Sequence, residues 1–259
     1  MSDPRTDQIR VYYHTLFSAW GPQHWWPAHS RFEVIVGAYL TQNTSWTNVE
    51  LALRSLRAAK LLSVAGVRRT PVHQLEKLIR SAGYFRQKAH RLKLFVRFLD
   101  EQHGGSLTRM FAQHTETLRE ELLALHGIGP ETADSILLYA GNHAVFVVDA
   151  YTRRVLERHQ MIAPGTSYEE IRKLFEQALS PVAGDGGNSQ VGPTVAPTKS
   201  GPRGSSHSPS PMSTAERTAR VQVFNEMHGL IVGVGKNFCQ KSQMRCEQCP
   251  LQKYLPGKS

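Results

Sequence analysis

Leu125-His126-Gly127-Ile128-Gly129-Pro130-Glu131-Thr132-Ala133 is the stretch on which the reading of this chain turns. Gly127 and Gly129 bracket one apolar residue. Glycine allows the positive φ values and close backbone approach of a tight helix-to-helix turn. Pro130 suits the first turn of the helix that follows, which sets Ala133, Ile136, Leu137 and Ala140 on one side. Upstream, Thr117 and Glu120 have capping-box spacing before Leu118, Leu122 and Leu125. The backbone N–H groups of such a turn, beside a helix N-terminus, favour an anion. With Ile128 plugging the turn, the segment is suited to grip one DNA phosphate without reading bases. An ordinary αα-hairpin uses a glycine turn too. The Leu-x-Gly-Ile-Gly-Pro-x-Thr-Ala context is more specific than that.

Outward from the hairpin the pattern stays helical. Ser30 and Glu33 form a second capping box, followed by Phe32, Ile35, Val36, Tyr39 and Leu40 on one face. Ser167 and Glu170 cap a helix bearing Ile171, Leu174 and Phe175, and Val223, Phe224, Met227, Leu230, Ile231 and Val234 make another apolar stripe. The one strand-like piece, Val145–Val148, is short, so the fold is expected to be all-α. Residues 182–218 are rich in Gly, Ser, Pro and Thr and poor in large apolar side chains, which predicts a disordered insertion between two helices. Its Lys199, Arg203 and Arg217 against Asp185 and Glu216 give +1, so +9 of the chain's net +10 belongs to the rest. A basic folded part is consistent with a polyanionic partner. At 259 residues and 40% hydrophobic, the chain can bury a sizeable core in one or two domains. It has no apolar run long enough to span a bilayer, and its N-terminus lacks the apolar core of a secretory signal. No membrane association and a cytoplasmic, nucleoid-associated location are expected. Three cysteines near the C-terminus do not make a disulfide framework.

Asp149 closes the apolar run Val145-Phe146-Val147-Val148. Such a carboxylate serves as an N-cap for the helix starting near Ala150, or as a charged group delivered to the edge of a core for chemistry. Taken together, LHGIGPETADSILLYA and the downstream VFVVDAYTRRVLERH resemble the helix-hairpin-helix DNA glycosylase superfamily, in its endonuclease III branch. The Val-Asp-x-x-x-x-Arg-Val motif falls at family spacing. The resemblance implies an all-α, two-lobed fold with a DNA-binding groove between the lobes. Residues 1–28 would join the second lobe, 29–139 would form a bundle ending in the hairpin, and 140–259 would form the C-terminal lobe with its cysteine loop. It also implies that Asp149 is the catalytic aspartate. A carboxylate stabilises the positive charge that develops on deoxyribose as an N-glycosidic bond breaks.

Bifunctional members of the branch carry a nucleophilic lysine in the second hairpin helix. Glu131 occupies that position here, which favours a monofunctional glycosylase using water, with Lys236 as a conceivable substitute amine. The resemblance places Gln42 as the filler of the emptied base stack. Trp25-Trp26-Pro27 and the Thr41-Gln42-Asn43-Thr44-Ser45-Trp46 segment look most like the 3-methyladenine DNA glycosylase subgroup, in which aromatic faces receive an alkylated, cationic base. Lys236 falls at that subgroup's pocket lysine. The tryptophans are equally good core residues. Gly127, Ile128, Gly129, Thr132, Arg153, Lys241 and Arg245 are the expected contacts to double-stranded DNA, bound by a monomer. Arg86, Lys88, Arg91 and Lys93 form either part of a DNA face or a solvated charge run.

Cys239, Cys246 and Cys249 read C-x6-C-x2-C. In the superfamily a fourth cysteine completes a [4Fe–4S] site, and Leu255 stands at that position. The expectation is a cluster on three cysteines. A zinc site with a histidine, or a degenerate site without metal, fits the same spacing. The rival functions are an endonuclease III-like glycosylase/lyase acting on oxidised pyrimidines, uracil or mismatches, and a non-catalytic lesion-binding module.

Overall fold

The computed structural model describes residues 3–184 and 207–257. Its helices, in chain order, are α1 (Pro4–Trp20), α2 (Arg31–Thr41), α3 (Trp46–Ala58), α4 (Val64–Arg69), α5 (Val72–Leu78), α6 (Phe85–His103), α7 (Leu107–Phe111), α8 (Thr115–Ala124), α9 (Pro130–Ser135), α10 (Ala150–Arg158), α11 (Tyr168–Gly184) and α12 (Ala219–Asn237). A π-helical turn, Ile136–Ala140, extends α9. Among the described residues there is no sheet, only one isolated bridge between Cys239 and Met244. No described helix is long and apolar enough to cross a membrane.

The chain divides into two compact units. One comprises Met1–Pro27 with Ala144–Ser259, the other Ala28–His143. Each is built round a helix buried on all sides, as expected where no face meets water. In the first unit α12 is buried continuously from Val223 to Gly235, with α1, α10 and α11 against it. The sequence suggests only a stripe on this helix. The other sides close because glycines let neighbours come in: a Cβ at Gly235 would lie 2.6 Å from the Tyr151 Cβ. In the second unit α2 is buried from Phe32 to Leu40.

The helix ends show which local signals work. Ser167 and Glu170 form a full capping box: Glu170 N–H donates to Ser167 Oγ (3.2 Å), and Ser167 N–H donates to Glu170 Oε2 (2.9 Å). Ser30 Oγ accepts from Glu33 N–H (3.2 Å), but the Glu33 carboxylate takes the N–H of His29 instead and pairs with Arg57. Thr117 and Glu120 do not cap. Helix α8 begins at Thr115 behind His114, because Leu118 N–H already donates to the His114 carbonyl (3.0 Å), which puts both residues inside the helix.

Val145–Val148 is not a strand. It is a buried extended segment whose N–H groups go to α11 side chains, Phe146 to Glu176 Oε1 (3.0 Å) and Val148 to the Tyr168 hydroxyl (3.3 Å). The predicted insertion is ordered at both edges. Residues 182–184 continue α11. After residue 206, His207 N–H donates to the Gln23 carbonyl (3.1 Å), Ser210 and Ser213 cap one another, and Ser213 is buried. These partners offset the ordering entropy that composition alone left uncompensated. The remaining part, 185–206, lies outside the described residues.

Candidate functional site

In the first unit the site centres on Asp149. Its Oδ1 accepts from the backbone N–H of Thr152 (2.7 Å) and from the Thr152 hydroxyl (2.9 Å), so Asp149 is the N-cap of α10. Its other oxygen, Oδ2, accepts no hydrogen bond among the described residues and faces His228 Nε2 at 3.7 Å. The side chain remains 13% exposed, so the buried run before it presents a carboxylate to solvent with one oxygen committed and one available. Burial holds the His228 imidazole below the usual histidine range, while the Asp149 charge opposes this more weakly. Tyr151 lies against the α12 backbone at Gly235, and burial followed by the Asp149 charge raises its phenol.

Trp25 and Trp26 are buried, edge to face at 5.3 Å, and Trp25 also meets the rings of His207 (5.3 Å) and His228 (6.2 Å). His228 thus links Trp25 to Asp149. Pro27 is half-buried, and Lys236 is exposed in the last turn of α12. Arg153 donates to the Thr166 carbonyl (2.6 Å) and lies 4.0 Å from Glu157. Arg154 donates to the Cys239 carbonyl (2.6 Å), tying α10 to the cysteine loop.

That loop closes one side of a cavity of about 130 Å³ whose walls include Cys239, Cys246, Cys249, Leu255 and His159. Burial pushes the Cys249 thiol up to about 11, with Cys239 and Cys246 adding to the effect. Arg158 Nη1 donates to Cys239 Sγ at 3.2 Å. These residues supply three of the four thiolates of a [4Fe–4S] cluster. Leu255 offers no donor. His159 is already engaged by the Tyr12 hydroxyl (2.7 Å) and the Tyr254 carbonyl. Among the described residues no group of three metal-binding side chains is arranged to hold a single ion. Lys241 and Arg245 are exposed on the loop.

In the second unit the hairpin joins α8 to α9. Gly127 has φ +82°, which only glycine adopts without strain, whereas Gly129 is extended at φ −101° and caps α9. Only one of the two glycines is therefore required by its backbone angle. At Gly129 a Cβ would meet nothing within 4 Å, leaving that side of the turn open. Ile128 is buried and anchors the turn, and Thr132 is buried behind it. Glu131 is exposed in the first turn of α9. Arg119 of α8 clamps Asp134 of α9 through Nε (2.7 Å) and Nη2 (3.1 Å), an ion pair that sequence spacing does not reveal.

Gln42, just beyond α2, is bound to the hairpin: its Nε2 donates to the Gly127 carbonyl (2.9 Å) and to Thr132 Oγ1 (3.0 Å). Arg91 Nη1 donates to Gln42 Oε1 (2.7 Å). From the basic run on α6, Lys88 is buried and donates to the Leu40 and Ala82 carbonyls and to Thr44 Oγ1 (each 2.8 Å), which fixes the end of α2. Burial lowers its ammonium to about 8. Lys93 donates to the Val67 carbonyl (2.6 Å), and Arg86 is exposed. Trp46 opens α3, half-buried.

Residues 36–181 match the HhH-GPD superfamily base excision DNA repair protein model. The chain belongs to that superfamily. A Methanocaldococcus jannaschii protein named as a DNA repair glycosylase is 36% identical to this HhH-GPD chain over 260 residues, all of both chains. Endonuclease III of Thermotoga maritima is 29% identical over 151 residues, 57% of this chain and 67% of the relative. Among solved structures, H. pylori 3-methyladenine DNA glycosylase bound to 1,N6-ethenoadenine shares 25% identity at a TM-score of 0.67, covering 90% of this chain and 97% of that one. A trapped endonuclease III–DNA intermediate superposes at 0.69 with 19% identity, 99% of this chain and 97% of that one, and shows the fold. The chain is thus an HhH-GPD protein of the endonuclease III branch, with that family's all-α fold.

Proposed function

We propose that this HhH-GPD protein is a monofunctional DNA glycosylase that hydrolyses the N-glycosidic bond of a damaged base in double-stranded DNA, leaving an abasic site. The observation that carries the reading is the divided carboxylate of Asp149. One oxygen is held by Thr152, and the other accepts no hydrogen bond among the described residues. As the bond between C1′ and the base nitrogen breaks, the base leaves with the electron pair and positive charge gathers on the sugar. The available oxygen stabilises that charge and orients water for attack at C1′, taking up its proton. A neutral imidazole at His228, favoured by burial, keeps a competing cation away from the carboxylate. The hairpin's open side at Gly129 suits a backbone phosphate.

Our reading of the substrate is an alkylated, cationic purine, which departs as a neutral base. It is supported by the Trp25-Trp26-Pro27 segment, which reaches Asp149 through His228, and by the H. pylori neighbour, a 3-methyladenine glycosylase. Incubation with a panel of single-lesion duplexes tests both points. Strand cleavage is expected only after alkali, and only with alkylated purines. Borohydride is expected to trap no covalent adduct on abasic DNA, because Glu131 cannot form an imine. Nicking without alkali, or a strong adduct, would overturn the monofunctional reading and favour the lyase alternative.

The cysteine cavity is read as the place of a [4Fe–4S] cluster held on three thiolates. Such a group would pin the C-terminal loop to α10 and α12, and no step of the reaction runs through it. Anaerobically purified protein is expected to contain iron and acid-labile sulfide with a broad visible absorbance band. Protein lacking both would rule out the cluster.

A further inference from the structure

Arg91 stands on α6 with its guanidinium against the hairpin, so close to Gly127 that a Cβ there would overlap it. Of the five N–H donors on a guanidinium, one is used among the described residues, on Gln42 Oε1 at 2.7 Å. Arg91 forms no ion pair with a carboxylate among the described residues, and neither does the nearby buried ammonium of Lys88. A half-buried cation left without an acidic partner, with most of its donors unused and set on a phosphate-type turn, is suited to an anion from outside. Its hydrogen bond to Gln42 fixes the direction of that amide. With Oε1 held by Arg91, Nε2 is aimed at the Gly127 carbonyl and Thr132 Oγ1.

We propose that Arg91 binds a DNA backbone phosphodiester beside the hairpin and, through Gln42 Oε1, is the positioning residue for Gln42. One guanidinium thereby couples the grip on the strand to the side chain that fills the emptied stack. The inference rests on the glycosylase reading, in which Gln42 has that filling role. Arginine suits the double task because its planar fork can hold an amide oxygen and a phosphate at once. Lysine, a point charge on a flexible stem, cannot fix both.

The test uses the full chain and two duplexes, undamaged and carrying a tetrahydrofuran abasic analogue, with affinities measured across a salt series. Arg91→Met is expected to reduce the slope of log affinity against log salt by about 0.9, the share of one phosphate. It is also expected to lower the preference for the abasic duplex by about tenfold, the worth of one charge-assisted hydrogen bond. Arg91→Lys should keep the slope and lose the preference. Gln42→Ala should do the same, and Arg91→Met with Gln42→Ala should show no less preference than Gln42→Ala alone. A role confined to packing would lower the melting temperature and leave the slope unchanged. An unchanged slope in Arg91→Met, or preference losses that multiply in the double variant, would overturn the proposal. If the wild-type chain itself shows no preference for the abasic duplex, the glycosylase reading fails along with it. A wild-type preference that survives in Arg91→Met removes this inference alone.

Discussion

Asp149→Asn is expected to lose base release by about a thousandfold while folding and binding abasic DNA as the wild type does. The structure explains why the two effects separate. The fold uses Oδ1, which accepts two hydrogen bonds from Thr152, and an asparagine carbonyl oxygen caps a helix as well as a carboxylate does. The proposed chemistry uses the charge. Two unit charges about 4 Å apart in an effective dielectric near 20 interact by roughly 4 kcal/mol. Felt only as the sugar becomes cationic, that is on the order of a thousandfold in rate. Single-turnover excision from an alkylated duplex, beside binding to the abasic analogue and a thermal melt, checks all three terms. Wild-type-like turnover would remove Asp149 from the reaction. Lost excision with a collapsed melting temperature would mean that its cap is what matters.

Arg119→Met is expected to destabilise the protein by about 3–5 kcal/mol. Its partner Asp134 has no side-chain exposure, and Arg119 gives that carboxylate two charge-assisted hydrogen bonds. Removing the guanidinium takes the opposite charge away from a buried anion, which must then stay desolvated without its cation or take up a proton. Because typical domains are stable by only about 5–15 kcal/mol, the loss is a large share of the total. The pair joins α8 to α9, so the hairpin should loosen first and DNA affinity should fall before global unfolding. Urea denaturation gives the size of the effect. Replacing both partners with apolar residues, Arg119→Met with Asp134→Leu, should recover much of it, since the uncompensated charge is then gone. Equal losses in the single and double variants would show that packing, not charge, dominates there.

The hairpin, the cap at Asp149 and the caps at Ser30 and Ser167 were legible because their signals are local: residue type and spacing within one turn determine the hydrogen bonds. The Thr117–Glu120 box misled because the same spacing occurs inside a helix that had already begun. Long-range partnerships left no such trace. The pairing of Arg119 with Asp134 spans fifteen positions, and that of Gln42 with Gly127 spans eighty-five. Arg91 and Lys88 sat in a run of basic residues with nothing to distinguish them from solvated neighbours. The structure separates them by burial and by partner. His228 carries no signal of its own in the sequence, and only its distance to Asp149 gives it a role. The aromatic residues were the most ambiguous in sequence and are mostly packed in the structure, where Trp25 and Trp26 are buried among other rings.

The bare positions on α12 bear on any attempt to engineer heat resistance. Replacing a helical glycine with alanine ordinarily raises stability by about 0.4–1 kcal/mol, because the unfolded chain has less freedom to lose. That route is closed at Gly235, and at Gly229 it requires the Gln23 segment to give way. A methyl group at 229 would arrive 3.0 Å from the Gln23 Cβ, and one at 235 would arrive 2.6 Å from the Tyr151 Cβ. The first would press on the Trp25 segment, which reaches Asp149 through His228, and the second on Tyr151, two residues beyond Asp149. At Gly235 the central rod keeps its entropic handicap so that a neighbour can come close, and thermal hardening of this kind is better sought on the outer helices.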